Sequence, residues 1–142
     1  MSRFALALAT LACAVCHAEV SATNAWVRGM VPAQTSTGAF LTLTSTVDAK
    51  LVAVSTPIAK MAEIHETAMS GGVNRMREVD SVKLPAGKAV SLAPGGYHVM
   101  LMGVDKAPKV GERVPLVLTV EEAGGKRVRV EVAATVRPLS AP

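Results

Sequence analysis

The chain has 142 residues, of which 50% are hydrophobic, and its formal net charge is +4. This length suits one domain, and charges scattered without a basic stripe exclude a typical nucleic-acid-binding protein. Only 3% of the residues are aromatic, so the core must consist mainly of Val, Leu, Ile and Ala, which favours a strand-rich fold.

Residues 1–18 are typical of an export signal. Arg3 provides a positive charge, and the apolar run over residues 4–15 is shorter than the ~20 residues that a membrane-spanning helix needs. We expect cleavage after Ala18, which gives an exported protein without a membrane span that begins at Glu19. The alternative is lipidation of Cys13 or Cys16. Since both cysteines lie within the signal, the mature chain then has neither a disulfide nor a free thiol.

Short segments of alternating polarity follow the signal and are separated by Gly and Pro. Gly124-Gly125 predicts a hairpin between the last two of them, and Pro115 indicates an edge position or the beginning of a strand. Many short strands at this spacing predict an all-β fold, either a β-sandwich or a Greek-key barrel. The segments with the clearest pattern cover residues 38–45, 50–55, 113–121 and 126–132.

Two further segments contain histidine and methionine. Residues 62–65 and 73–78 flank Gly71-Gly72 and predict a hairpin, in which Met76 shares the face of His65 only if residue 65 pairs with residue 76 or 78. Residues 97–102 predict a strand that follows the Pro94-Gly95-Gly96 turn and begins near the surface. Side chains alternate along a strand, so this one places His98, Met100 and Met102 on one face.

Together, His65, Met76, His98 and Met100 form the pattern H-x10-M-x21-H-x-M. Beyond residue 18 the chain has no other histidine and no cysteine. Imidazole and thioether ligands suit copper, above all Cu(I), better than calcium, magnesium or structural zinc. With the favourable hairpin register, these four side chains could close on one copper ion. Met69 and Met102 are open as substitute ligands or as residues that line the rim of the site, but packing in the core is the role that we expect for both.

Three other classes of protein are alternatives for a chain with these residues. A blue-copper electron carrier needs a cysteine beside two histidines, and a zinc hydrolase needs three His or carboxylate ligands with an open water position. The mature chain fits neither class, so we expect a binding protein rather than an enzyme. A β-sandwich that only binds other proteins is a third possibility, because methionine is also a common core residue.

At these residues the chain resembles the periplasmic copper chaperones of the PCuAC family, whose signature has the same spacing. The resemblance extends from about residue 19 to 136 and is closest at four segments: Ala25-Trp26-Val27-Arg28, Ile64-His65-Glu66, Arg75-Met76-Arg77 and residues 94–102. It implies a cupredoxin-like Greek-key β-sandwich over residues 19–137. The short segment that follows, 138–142, is expected from its own residues to be a loose tail. The resemblance also implies that His65, Met76, His98 and Met100 ligate one Cu(I) ion near the surface.

The resemblance further implies a role in the bacterial periplasm. The protein would carry Cu(I) and transfer it to a cuproprotein acceptor, notably the binuclear copper site of cytochrome c oxidase. Sequestration of copper under stress would use the same ligands and is the alternative. Both roles consist of binding and transfer rather than catalysis.

Overall fold

Ten strands make up the part of the chain that the computed structural model describes, residues 19–140. In chain order they are β1 (Val20–Arg28), β2 (Ser36–Ser45), β3 (Ala49–Ser55), β4 (Ala59–Ser70), β5 (Val73–Glu78), β6 (Val82–Leu84), β7 (Ala89–Leu92), β8 (Tyr97–Val104), β9 (Arg113–Glu122) and β10 (Arg127–Arg137). The predicted signal with its cysteines lies outside the described residues, as do the last two residues of the expected tail. Within residues 19–140, no helix has the length and hydropathy of a membrane span.

All of these strands belong to one mixed sheet, in the order β5-β4-β8-β2-β1-β10-β9-β3-β6, with β7 also paired to β2. Neighbouring strands are antiparallel except β1 and β10, which are parallel. The sheet folds around one core, because Ile64 of β4, Leu51 of β3 and Leu84 of β6 belong to the same buried cluster. The predicted all-β, single-domain fold is confirmed.

Alternation along the strands determines which side chains enter the core. In β9 the four predicted apolar positions, Val114, Leu116, Leu118 and Val120, are all buried. The hairpin predicted at Gly124-Gly125 is present, with Arg127 opposite Glu121. Pro115 lies near the beginning of β9, beyond the last residue that pairs with β3, where its missing N–H removes no hydrogen bond to that strand.

Three features of the sheet differ from the segments predicted above, and the first is that β4 covers Ala59–Ser70 where the sequence predicted residues 62–65. Three strands, β1, β6 and β7, were not among those segments. In addition, β10 continues past the predicted end at residue 132 to Arg137, because its last residues pair with Trp26, Val27 and Arg28 of β1. Burial of Ala134 and Val136 stabilises this extension.

Candidate metal centre

His65 and Met76 lie on the same face of the β4–β5 hairpin. The register pairs His65 with Glu78 and Thr67 with Met76. Opposed residues share a face, and Thr67 shares the face of His65 because it is two residues further along the strand. Met76 is therefore a diagonal neighbour of His65, as the 65–78 register predicted.

The pairing of β4 with β8 brings the two histidines together. His65 lies opposite His98, and Glu63 lies opposite Met100. The intervening residues, Ile64 and Val99, are 4% and 0% exposed and belong to the core. The candidate ligands thus occupy the other face of three adjacent strands, β5, β4 and β8.

The tautomer of His98 follows from its hydrogen bond. Its Nδ1 lies 3.1 Å from the carbonyl oxygen of Gly96. A carbonyl oxygen can only accept, so Nδ1 carries the proton and donates, and Nε2 presents its lone pair. That Nε2 atom is buried and has no hydrogen-bond partner.

His65 has the opposite tautomer. Its Nε2 lies 2.8 Å from Oε2 of Glu63, and because a carboxylate accepts, Nε2–H donates and Nδ1 keeps the lone pair. This Nδ1 is also buried without a partner. The two rings are 5.7 Å apart between centroids and inclined by 63°. A buried acceptor left unpaired costs about 1–3 kcal/mol, and one metal ion between these rings would satisfy both nitrogens.

A cavity of about 120 Å³ adjoins the histidine pair, and Met76, His98 and Met100 line it. The structure thus places three of the four predicted ligands around one space, with the ring of His65 next to that of His98. Among residues 19–140, no three side chains of His, Cys, Asp or Glu form a group that could hold a metal ion. A metal centre here therefore depends on methionine sulfur.

The candidate ligands differ widely in the fraction of their surface that is exposed to solvent. His98 stands near the beginning of β8 as predicted, but it is only 4% exposed, whereas Met76 is 62% exposed. The expectation that His98 lies near the surface was therefore wrong for its side chain. Phe40 and the Pro94-Gly95 turn line the same cavity as His98, and the Phe40 ring lies 6.3 Å from the His98 ring.

Three neighbours of the site were not anticipated as functional. Glu63 could have been found by alternation, since it precedes His65 by two residues. Phe40 and Arg28 come from β2 and β1 and depend on the sheet order, which the sequence did not predict. The Phe40 ring lies 4.4 Å from that of Trp26 and 6.3 Å from that of His98, and the Arg28 guanidinium lies 5.4 Å from the Phe40 ring.

The residues left open by the sequence lie outside the cavity. Met69 is 71% exposed near the hairpin turn, and Met102 lies opposite Met61, further along the sheet. Neither packs against the hydrophobic cluster, so the expected core role was wrong for both. Glu66, next to His65, accepts a hydrogen bond of 2.9 Å from Arg77 of the paired strand β5.

Comparison with known proteins gives related sequences and structures. The family model "Putative lipoprotein LpqE-like" matches residues 20–132. A "Putative lipoprotein" of Leifsonia xyli subsp. xyli (strain CTCB07) is 30% identical over 114 residues, 80% of this chain and 69% of that protein.

Solved structures share the fold. The Cu(I) form of DR1885 from Deinococcus radiodurans is 36% identical, with a TM-score of 0.59 over 80% of this chain and 75% of that one. The copper-bound PCuAC domain from PmoF2 is 22% identical, with a TM-score of 0.67 over 84% of this chain and 92% of the domain. The second likeness concerns the fold alone.

Proposed function

Because this chain belongs to the LpqE-like family and has the PCuAC domain fold, we propose that it is an exported Cu(I) metallochaperone. In this proposal His65, Met76, His98 and Met100 hold one Cu(I) ion per chain. The observation that carries it is the pair of buried imidazole nitrogens without partners on adjacent rings. The relationship to DR1885, which was solved with Cu(I), supports copper as the cargo.

The donor set favours the monovalent ion. Two neutral imidazoles and two thioethers add no negative charge, and soft thioether sulfur prefers Cu(I). The guanidinium of Arg28, in the wall of the cavity, repels a bound cation, and it repels Cu(II) twice as strongly as Cu(I) at the same distance. The two thioether ligands are therefore what would favour Cu(I) over Cu(II) at this site.

The gradient of exposure suggests an order of transfer. Met76 is 62% exposed on the edge strand β5, and His98 is 4% exposed. A ligand of the acceptor would displace Met76 first, and His98 would release the ion last. The acceptor that we propose is a periplasmic cuproprotein, first of all the binuclear copper site of cytochrome c oxidase. Transfer of Cu(I) from the loaded protein to the isolated apo copper-site domain would distinguish delivery from sequestration.

The route of export is also a proposal. We propose that residues 1–18 direct export and that cleavage after Ala18 leaves Glu19 as the first residue. Strand β1 begins at Val20, and the Glu19 backbone N–H donates to Oγ1 of Thr46 at 3.0 Å, so this cleavage would preserve the sheet. The lipoprotein names of the relatives favour lipidation at Cys13 or Cys16 as the alternative. The mass of the exported protein distinguishes the two.

The proposal is tested by an anaerobic Cu(I) titration against a chromophoric chelator. Wild type and Met69→Ala, which removes an exposed thioether outside the cavity, should each retain one equivalent. A His98→Ala/Met100→Ala variant should bind Cu(I) at least about 100-fold more weakly, because it loses one imidazole and one thioether. Failure of wild type to retain copper, or equal retention by the double variant, would contradict the assignment.

A further inference from the structure

Most methionines of the described chain do not serve the core. Of the six at residues 30, 61, 69, 76, 100 and 102, only Met30 packs against the hydrophobic cluster. Met61, Met69 and Met76 are 54%, 71% and 62% exposed. Methionine ordinarily stabilises a protein through burial of its apolar side chain, so exposed thioethers that gather on one face call for another explanation.

The register of β4 and β8 arranges these side chains in rows. His65 faces His98, Glu63 faces Met100, and Met61 faces Met102. Because residues two apart point the same way, all six occupy one face of the sheet. Opposed Cβ atoms lie about 5 Å apart, and successive rows are about 7 Å apart along the strands. Met100 therefore stands between the histidine row and the Met61–Met102 row.

The Met61–Met102 row lies at an open part of the sheet. Strand β5 pairs with β4 only from His65 onward, so none of the described strands flanks Met61 on that side. On the other side, Met102 faces the small, exposed Ser36 of β2. The row is also separate from the cavity that Met76, His98 and Met100 line. An ion could thus reach these sulfur atoms from solvent without passing the buried ring of His98.

We propose that Met61, Met102 and Met100 form a second, weaker Cu(I) position through which copper reaches the histidine pair. Neutral thioethers suit Cu(I), and the Glu63 carboxylate in the adjoining row favours a nearby cation. Copper stays monovalent throughout: the Met61 and Met102 sulfur atoms leave as imidazole nitrogens bind, and Met100 is shared. This inference depends on the proposed function, because it assumes that the histidine pair binds Cu(I).

The test uses the protein labelled with ¹³C in its methionine methyl groups. Cu(I) is added anaerobically, and Ag(I) is added in a parallel experiment as a redox-inert probe. The first equivalent should shift the methyl signals of Met76 and Met100. Further metal should shift those of Met61 and Met102, with an affinity at least about tenfold lower, while the signal of the core residue Met30 stays unchanged.

A variant identifies the second position. Met61→Leu/Met102→Leu removes both sulfur atoms with little change in volume and should abolish the second phase while the first remains. Met69→Leu, a matched change at an exposed methionine, should keep both phases. The inference is overturned if no second phase occurs in wild type, or if Met69 shifts together with Met61. Absence of the first phase would instead contradict the proposed function, so the two failures are distinguishable.

Discussion

Glu63 determines which nitrogen of His65 is available to a metal. Its Oε2 accepts from Nε2 at 2.8 Å, which leaves Nδ1 as the lone-pair atom. An outer partner of this kind orients a ligand and increases its basicity, and its loss typically costs 10–100-fold in metal affinity. Because Gly96 holds His98 through the other ring nitrogen, the two imidazoles present opposite atoms from directly opposed residues. In the proposed site, each imidazole therefore offers to the ion the nitrogen that is buried without a hydrogen-bond partner.

We therefore expect Glu63→Ala to weaken Cu(I) binding by about 10–100-fold. Glu63→Gln keeps an oxygen that can accept from Nε2–H, so it should stay within a factor of about five of wild type, or about 1 kcal/mol. Glu66→Ala is the control, because this adjacent carboxylate pairs with Arg77 instead. Competition titrations measure all three affinities. Wild-type affinity in Glu63→Ala, or an equal loss in Glu66→Ala, would argue against a positioning role.

Strand β2 supports the candidate site through a residue without a side chain. Gly38 lies opposite Met100, and a Cβ atom added there would come within 2.8 Å of Cζ of Phe40. Phe40 is 4% exposed and stacks on Trp26 at 4.4 Å, so its ring has little freedom to move. The glycine allows this ring to fold back over its own strand and line the cavity beside His98.

Gly38→Ala should accordingly lower the free energy of unfolding by about 1–3 kcal/mol, the usual cost of overpacking. Gly96→Ala is a suitable comparison, since its added methyl group would meet only the carbonyl oxygen of Ala93 at 3.7 Å. Denaturant unfolding curves give both values. Equal stability of the two variants would mean that the Phe40 ring adapts and does not constrain the site.

At the scale of strands, the sequence predicted what depends on periodicity and missed what depends on distant pairing. The segments behind β2, β3, β5, β8 and β9 match observed strands to within two residues at each end. Strand β1 was not predicted because its alternation is interrupted. Asn24 has a φ of 52°, and the register shifts between Thr23 and Trp26. Strands β6 and β7 are too short for a pattern, with three and four residues.

In the candidate site, too, the sequence predicted the features that depend on alternation and missed those that depend on long-range pairing. Alternation alone was sufficient to group His98, Met100 and Met102, whereas the place of Met76 required the hairpin register, which the sequence left open. The opposition of His65 and His98 could not be predicted, because more than thirty residues separate them and only the order β4-β8 brings them together. Arg28 and Phe40 reach the cavity through a different part of the sheet order, β8-β2-β1.

At the scale of the whole molecule, one face of the β4–β8 pair stabilises the fold, and the other face carries the candidate metal ligands. The inner face contributes Ile64, Val99 and Leu101 to the core, while the outer face carries the histidines and methionines. Sulfur outside the core can therefore change chemically without disturbing the packing. Since the sequence has no cysteine beyond Cys16, mild oxidation of residues 19–142 would act chiefly on methionine.

We expect mild peroxide treatment to abolish Cu(I) binding without unfolding the protein. Conversion of Met76 and Met100 to sulfoxides removes the soft sulfur ligands, whereas Met30 packs against the core and should react last. The thermal midpoint should fall by less than about 3 °C, under about 1 kcal/mol for a domain of this size. Mass spectrometry locates the sulfoxides, and methionine sulfoxide reductases should restore binding. Prior loading with Cu(I) should protect Met76, the exposed ligand, but not Met69. Loss of the folded state in parallel with loss of binding would show that these methionines stabilise the fold after all.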